Sequence, residues 1–338
     1  MKKVRFGIVG CGTISKWHAD AIALIEGAVL AGVTDKNSEN ARRFAEERGC
    51  IAFDTYEEML AADAIDAVCI CTPSGLHAEM AVLAAKAGKH FAVEKPLALT
   101  REGLDAVVAA CEESGVKGTV ISQNRFAPSI ARIKRAVEEG LLGKLVLCDL
   151  SMKFYRSPEY YATAAWRGTR AMDGGALMNQ GIHGIDLLNY LAGPVQSLHA
   201  VCRTLAREIE SEDTACMLVT YENGAIGTVT GTTSVAPGYP LVLSLHGTEG
   251  SIEWTDGEIT KWDIAGQAQR IETRKEGGDS YRNPNSFSVE GHFKQLSDLV
   301  CAIREGKTPT VDVHEGRKPV DIILAAYRSE ETKKTVFL

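Results

Sequence analysis

No stretch of this chain stays apolar for the ~18 residues that a membrane-spanning helix needs, so no bilayer anchor is expected. The opening Met1-Lys2-Lys3 imitates a signal peptide. However, Gly7, Gly10, Cys11 and Gly12 interrupt the apolar run, and Lys16 and His18 stand where a small-residue cleavage site would fall. A cytoplasmic location is therefore expected. C-x-x-C pairs are also missing: the nine cysteines are an odd number, scattered from Cys11 to Cys301, and read as free thiols in a reducing compartment. The eight histidines never fall as H-x-x-x-H or H-E-x-x-H, so no metal site is expected. There is no G-x-S-x-G, which removes the nucleophile elbow. Basic excess is lacking too, with 37 basic against 44 acidic residues and a net charge of -7, so neither nucleic acid nor membrane is an expected partner.

What is present is ordinary globular composition: 338 residues, 45% hydrophobic and 24% charged. At ~150 residues per domain this suggests two domains. The first third alternates apolar strands with amphipathic helices. Strands are predicted at Val4–Val9, Val29–Thr34, Ile51–Phe53, Ala67–Cys71, His90–Val93 and Gly118–Ser122, with helical patterns between them. Repeated β-α units imply a doubly wound parallel sheet, a Rossmann-like α/β domain over residues 1–122. The remainder, 123–338, is predicted as an α+β domain with an open, mostly antiparallel sheet. Its strand candidates are Leu145–Phe154, 195–203, 214–221, 225–233, 241–246 and 251–254, and its later helices lie near Gly291–Arg304 and Val320–Ser329. Residues 265–285 are polar and read as a mobile excursion.

Gly10-x-Gly12 follows the first strand and opens a helix through Thr13 and Ile14. In that context the first glycine permits the tight turn, and the second lets backbone approach a pyrophosphate at the helix N-terminus. Ser15 replaces the third Gly or Ala of the fingerprint. Asp35 ends the second strand, 23 residues after Gly12, where a carboxylate binds a ribose 2′-OH. It would repel a 2′-phosphate, so NAD is expected over NADP, although Lys36 opposes that preference. The bland alternative is a ligand-free glycine turn beside an N-cap aspartate.

Four further segments occur in order along the chain. They are Cys71-Thr72-Pro73-Ser74-Gly75-Leu76-His77, Glu94-Lys95-Pro96, the run Gly174 to Asp186 containing Asn179-Gln180-Gly181-Ile182-His183, and Glu315-Gly316-Arg317-Lys318-Pro319 leading to Tyr327-Arg328-Ser329. With them the sequence resembles the glucose–fructose oxidoreductase / inositol dehydrogenase / MocA (Gfo/Idh/MocA) family. The resemblance implies an NAD(P)-dependent oxidoreductase acting on a secondary alcohol of a sugar or cyclitol. It also implies a C-terminal domain whose open sheet forms subunit contacts, hence a homodimer or homotetramer. The stretch Arg156–Gly184 further resembles members that oxidise nucleotide-linked amino sugars at C3.

The resemblance makes Lys95 catalytic, its bond to Pro96 often being cis. A lysine ammonium can stabilise alkoxide charge where water is excluded; the alternative is a plain surface lysine at a strand end. The resemblance makes His183 the general base, for which an imidazole is suited at neutral pH, against the alternative of a core or helix-cap histidine. Asn179, four residues earlier, stands where the family often has Asp; it can orient the ring but supplies no full charge. Asp186 could orient either group or be an ordinary helix residue. Thr72, Pro73, His77, Glu94 and Asn124 are candidates at the cofactor, with a simple helix-face role equally open for His77. Tyr155, Trp166 and Arg167, with Asn179 and His183, are candidates at the substrate, an arginine being able to bind a carboxylate or diphosphate bidentately. Two rival functions remain: a redox-neutral, glycoside-cleaving enzyme that uses NAD transiently, and a non-catalytic NAD-binding regulator.

Overall fold

Val4–Val9 (β1) is buried at nearly every position, as a parallel strand covered on both faces must be. In the computed structural model, which describes residues 3–267, 281–282 and 289–338, five further strands lie beside it. They are β2 (Ala28–Thr34), β3 (Ile51–Ala52), β4 (Ala67–Ile70), β5 (His90–Val93) and β6 (Gly118–Val120). The sheet is parallel and ordered β3-β2-β1-β4-β5-β6, the doubly wound order that places a ligand beyond the strand C-termini. The crossovers are α1 (Thr13–Leu24), α2 (Ser38–Arg48), α3 (Tyr56–Ala61), α4 (His77–Lys86) and α5 (Arg101–Ser114). Three of them start at a side-chain cap: Asn37, Thr55 and Thr100 accept backbone N–H groups of Glu39, Glu58 and Gly103 at 3.0–3.1 Å.

A second unit is built on α6 (Pro128–Glu138), β7 (Leu145–Lys153), α7 (Pro158–Ala162), a π-helical turn at Ala176–Gly181 and α8 (Ile182–Ala192). The strands β8 (Val195–Arg203), β9 (Thr214–Tyr221), β10 (Ile226–Thr232), β11 (Val242–Gly247), β12 (Gly250–Thr255) and β13 (Glu258–Ile264) follow. With β14 (Val336–Phe337) they form an eight-stranded sheet, β13-β12-β11-β7-β10-β9-β8-β14, antiparallel except for the β7–β10 pair. Side chains alternate in period two: Ala215, Met217, Val219 and Tyr221 of β9 are buried, whereas Cys216 and Leu218 are exposed. Register places Leu218 opposite His199 and Thr228, and Ile226 opposite Thr220 and Leu147, so one sheet face is left bare.

Strand β13 was not anticipated, although Asp256-Gly257, both at positive φ, is a two-residue hairpin signal. The largest departure concerns residues 289–317. The sequence predicts one domain over 123–338, but the first compact unit comprises Met1–Gln123 with Val289–Arg317, and the second Asn124–Ser288 with Lys318–Leu338. The cause is α9 (Val289–Glu305), whose Leu296, Leu299 and Val300 share a core with Phe6, Ala19 and Ile22. Gln295 adds polar ties, its Nε2 donating to the Val120 carbonyl at 2.7 Å and its Oε1 accepting from the Ser122 N–H at 2.9 Å. An apolar stripe shows that a helix must be covered, not which sheet covers it. The last helix, α10 (Val313–Thr332), begins in the first unit and continues in the second, with Pro319 inside it. Most of the 265–285 excursion lies outside the described residues. No described helix is long and apolar enough to cross a membrane.

Candidate active site

In the first unit the chain leaves β1 through Gly10, held at φ +90° with Cys71 so close that a Cβ would stand 2.8 Å from its carbonyl oxygen. Only glycine makes that turn without strain. Gly12, the N-cap of α1, faces open space and carries no side-chain cap, so the first amides of α1, including that of Thr13, are free of a capping side chain. That is the anion-accepting arrangement of a helix N-terminus. Ile14 is half-buried just behind it. Ser15 is tolerated because its hydroxyl turns back to donate to the Gly12 carbonyl at 2.6 Å. Asp35 accepts the Cys11 N–H at 2.7 Å through one oxygen and the Asn37 N–H at 2.8 Å through the other. A carboxylate has about four lone-pair sites, so both oxygens keep capacity for ribose hydroxyls.

Thr72 and Pro73 follow β4 on a short turn that leads into α4. His77 is buried, its Nδ1 2.7 Å from the Pro96 carbonyl oxygen and its Nε2 2.8 Å from that of Thr72. Its ring therefore braces the turn that carries Lys95. Burial lowers its pKa, against the two carbonyls that favour the proton. The Lys95–Pro96 bond is cis, and Lys95 is half-buried.

Glu94 is not an open ligand. It is 8% exposed, and one of its oxygens meets both His18 Nε2 at 2.8 Å and His292 Nε2 at 3.2 Å. Burial pushes the carboxyl up, but the hydrogen bonds from the two imidazoles win and hold it well below its usual range. Such a His–Glu–His group is one that could hold a metal ion, with ligand atoms within 4.8 Å of one another. Yet neither Nδ1 has a partner among the described residues, whereas metal-bound imidazoles almost always donate from the other nitrogen. The cluster is better described as a clamp that fixes the end of β5 beside Lys95. Nothing in the sequence spacing brings His18, Glu94 and His292 together; only the docking of α9 does.

In the second unit Asn124 is half-buried in a short turn after β6. Arg125 is buried and paired bidentately with Asp186, its Nε and one terminal NH donating at 2.9 and 2.6 Å. Asp186 is thus taken up by a structural pair one turn after His183, which lies half-buried in the first turn of α8. Helical geometry does reach back to Asn179, as the π-helical turn Ala176–Gly181, a device frequent at functional sites. The Asn179 amide donates to the buried carboxylate of Asp173, whose other oxygen accepts the Gly168 N–H at 2.7 Å. The Asn179 carbonyl accepts from Gln180 at 2.5 Å, and Gln180 in turn accepts from Arg156 at 2.9 Å. A carboxylate is therefore present after all, on Asp173, bonded to the Asn179 amide. Asp173 was missed; its only sequence signal is its place before Gly174-Gly175.

Arg167 lies over the rings of Tyr160 and Trp166 and donates to the Tyr160 hydroxyl at 2.8 Å. Tyr155 is half-buried beneath the guanidinium of Arg207. Arg156 joins the two groups, its guanidinium over the Tyr160 ring and its carbonyl accepting from Arg207 Nε at 2.8 Å, so the substrate candidates Tyr155, Trp166 and Arg167 belong to one aromatic–arginine cluster, suited to a sugar ring or an anionic group.

Two family descriptions match the chain: an oxidoreductase family, NAD-binding Rossmann fold, over residues 4–122, and the GFO/IDH/MocA C-terminal domain over 130–253. Among solved structures, the WlbA dehydrogenase from Bordetella pertussis, in complex with NADH and UDP-GlcNAcA, is 34% identical with a TM-score of 0.91, over 100% of this chain and 98% of that one. Myo-inositol 2-dehydrogenase of Thermotoga maritima is 24% identical over 99% of this chain and 98% of its own. The NAD(+)-dependent scyllo-inositol 2-dehydrogenase of Bacillus subtilis is 28% identical over 97% and 94%.

Proposed function

Since the chain belongs to the GFO/IDH/MocA oxidoreductase family, with its NAD-binding Rossmann fold, we propose that it is a dehydrogenase oxidising a secondary hydroxyl, at C3, of a UDP-linked amino sugar or its uronate. The observation that carries the nucleotide-sugar reading is the end-to-end likeness to a UDP-GlcNAcA-bound dehydrogenase at 34% identity, against 24% and 28% for the two inositol enzymes. The aromatic–arginine cluster supports it. Bound NAD supplies the hydride acceptor. The amides around Gly10, Gly12 and Thr13 take its pyrophosphate, Asp35 takes a ribose hydroxyl, and Ile14, Thr72 and Pro73 line its path. Lys95, kept in place by the Glu94 clamp and the His77 brace, steadies the hydroxyl oxygen. His183 removes the hydroxyl proton, and Asn179, pinned by Asp173, orients the base. Tyr155, Trp166 and Arg167 hold the sugar or its anionic group.

The bare sheet face supports assembly with a second copy: Val201 (45% exposed), Leu218 (64%) and Ile226 (57%) are large apolar side chains on one surface. All nine cysteines are free, which fits a cytoplasmic location.

The test is a panel of UDP-GlcNAc, its uronate, UDP-glucose and myo-inositol, each with NAD and with NADP, followed by reduced-nicotinamide absorbance. NADH formed with a UDP-amino sugar supports the proposal. NADH formed with myo-inositol alone replaces the substrate class, and sugar release without NADH indicates the redox-neutral chemistry. NAD binding with no turnover of any sugar indicates a regulator.

A further inference from the structure

Gly175 opens the π-helical turn that carries Asn179 and runs into His183, and it has no side chain with which to cap that turn. The caps come instead from Glu212, just before β9. Its backbone carbonyl accepts the Ala176 N–H at 2.8 Å, and its Oε1 accepts the Leu177 N–H at 2.9 Å. The same oxygen accepts the Tyr327 hydroxyl of α10 at 3.1 Å. A Cβ at position 175 would collide with the Glu212 carboxylate, so glycine there is the condition for the carboxylate's seat. Glu212 is 7% exposed, an unusual place for a carboxylate to which, among the described residues, no Arg or Lys is bonded.

We propose that Glu212 is a positioning residue for the reaction: it caps, from 35 positions away in sequence, the turn that sets where Asn179 and His183 stand, while Tyr327 fixes its orientation. This rests on the reading of His183 as the base. An anionic acceptor at the start of a helical segment holds the first amides more firmly than a neutral one, so the cap weakens when the carboxyl is protonated. Burial pushes Glu212 up to about 7, partly offset by the Leu177 and its own N–H, Tyr327 and Arg170. The groups facing it are Tyr327 of α10, Cys202 of β8 and Arg170. Burial and Glu212 itself raise the Tyr327 hydroxyl well above its ordinary value, and burial pushes the Cys202 thiol up to about 12. An arginine keeps its charge throughout. Near neutral pH the charge that changes within this group is therefore that of Glu212.

The experiment is a set of kcat and KM profiles against pH, from about 5.5 to 9, for the full-length wild type and its Glu212→Ala, Glu212→Gln, Tyr327→Phe and His183→Ala variants. Glu212→Ala should lower kcat about tenfold or more, since a displaced base is costly, with KM for NAD unchanged. Glu212→Gln, which keeps a carbonyl acceptor for Leu177 but no charge, should hold kcat between those of Glu212→Ala and the wild type, near the level to which the wild type falls on the acid side, and lose one ionisation from the acid limb. Tyr327→Phe removes a donor that favours the carboxylate, so it should move the acid limb to higher pH; this variant carries the test if Glu212→Ala does not fold. An acid limb in Tyr327→Phe and Glu212→Gln that coincides with wild type overturns the assignment. So does wild-type kcat in Glu212→Ala when His183→Ala is inactive, and in that case the base reading survives. Undiminished turnover in His183→Ala overturns the base reading and this inference with it.

Discussion

Replacing Asp186 by Leu should destabilise the second unit by about 3–5 kcal/mol, the usual cost of breaking a buried ion pair by removing one partner. The two side chains are only 2% and 4% exposed, and the pair is bidentate. The Tyr190 ring, 4.6 Å from the Arg125 guanidinium, is a contact worth about 0.5–2 kcal/mol and too weak to replace the bidentate carboxylate. Arg125→Met should cost a similar amount by removing the bidentate donor of the buried Asp186 carboxylate. The double variant Arg125→Met/Asp186→Leu should return to within about 2 kcal/mol of wild type, because apolar residues of similar size often substitute for a buried pair at little cost. In a unit of roughly 150–250 residues each kcal/mol is worth about 2–4 °C in Tm, so the single variants should melt about 6–20 °C lower. Urea and thermal melts of all four proteins close the cycle, and kcat is measured below the lowest Tm. If Asp186 serves only to anchor the first turn of α8, the double variant regains kcat as well as stability. A double variant that is stable but inactive would refute this and give Asp186 a part in the chemistry. One as unstable as the sum of the singles would refute the pairing energetics.

Three other outcomes follow from the same geometry. Asp35→Ala should raise KM for NAD about tenfold, the worth of a charge-assisted hydrogen bond, and narrow the NAD-over-NADP preference; an unchanged ratio of kcat/KM for the two cofactors counts against its ribose role. Burial lowers the His18 pKa below 6.5, the Glu94 contacts opposing it only in part, so the stability it contributes is complete above pH 6.5 and is lost as pH falls through the folded-state value. Wild-type Tm should therefore drop between pH 7 and 5 more steeply than that of His18→Gln, and parallel curves from calorimetry would contradict the clamp. Leu218→Glu with Ile226→Lys on the bare sheet face should convert an oligomer to monomers in sedimentation velocity while leaving NAD affinity unaltered; an unchanged sedimentation coefficient would place the subunit contact elsewhere.

Much of the fold was legible because it is written in local patterns. The buried β-strands of the first unit and the glycine turn at Gly10 each announce themselves within a few residues. That these strands pair in parallel then follows from the helical crossovers between them. The motifs that suggested Lys95 and His183 were legible for the same reason. What stayed hidden depends on partners distant in sequence. The covering of the first sheet by α9, the His18–Glu94–His292 clamp and the Glu212 cap join segments 35 or more positions apart. Asn179 is instructive: read alone it is an aspartate lost, while in the structure Asp173 supplies the carboxylate through the amide. His77 and Glu94, candidates at the cofactor in the sequence, also have partners no local pattern shows, the Pro96 carbonyl for the first and two imidazoles for the second.

The central claim is that Lys95 and His183 serve one hydride transfer from a sugar carbinol to NAD. It is tested most directly by incubating the protein and NAD with a UDP-amino sugar deuterated at C3 and weighing the nicotinamide product by mass spectrometry. The account predicts deuterium in the NADH of the wild type, and none in Lys95→Met or His183→Ala variants that still bind NAD. Label missing from the wild-type NADH, or present undiminished in either variant, would contradict it.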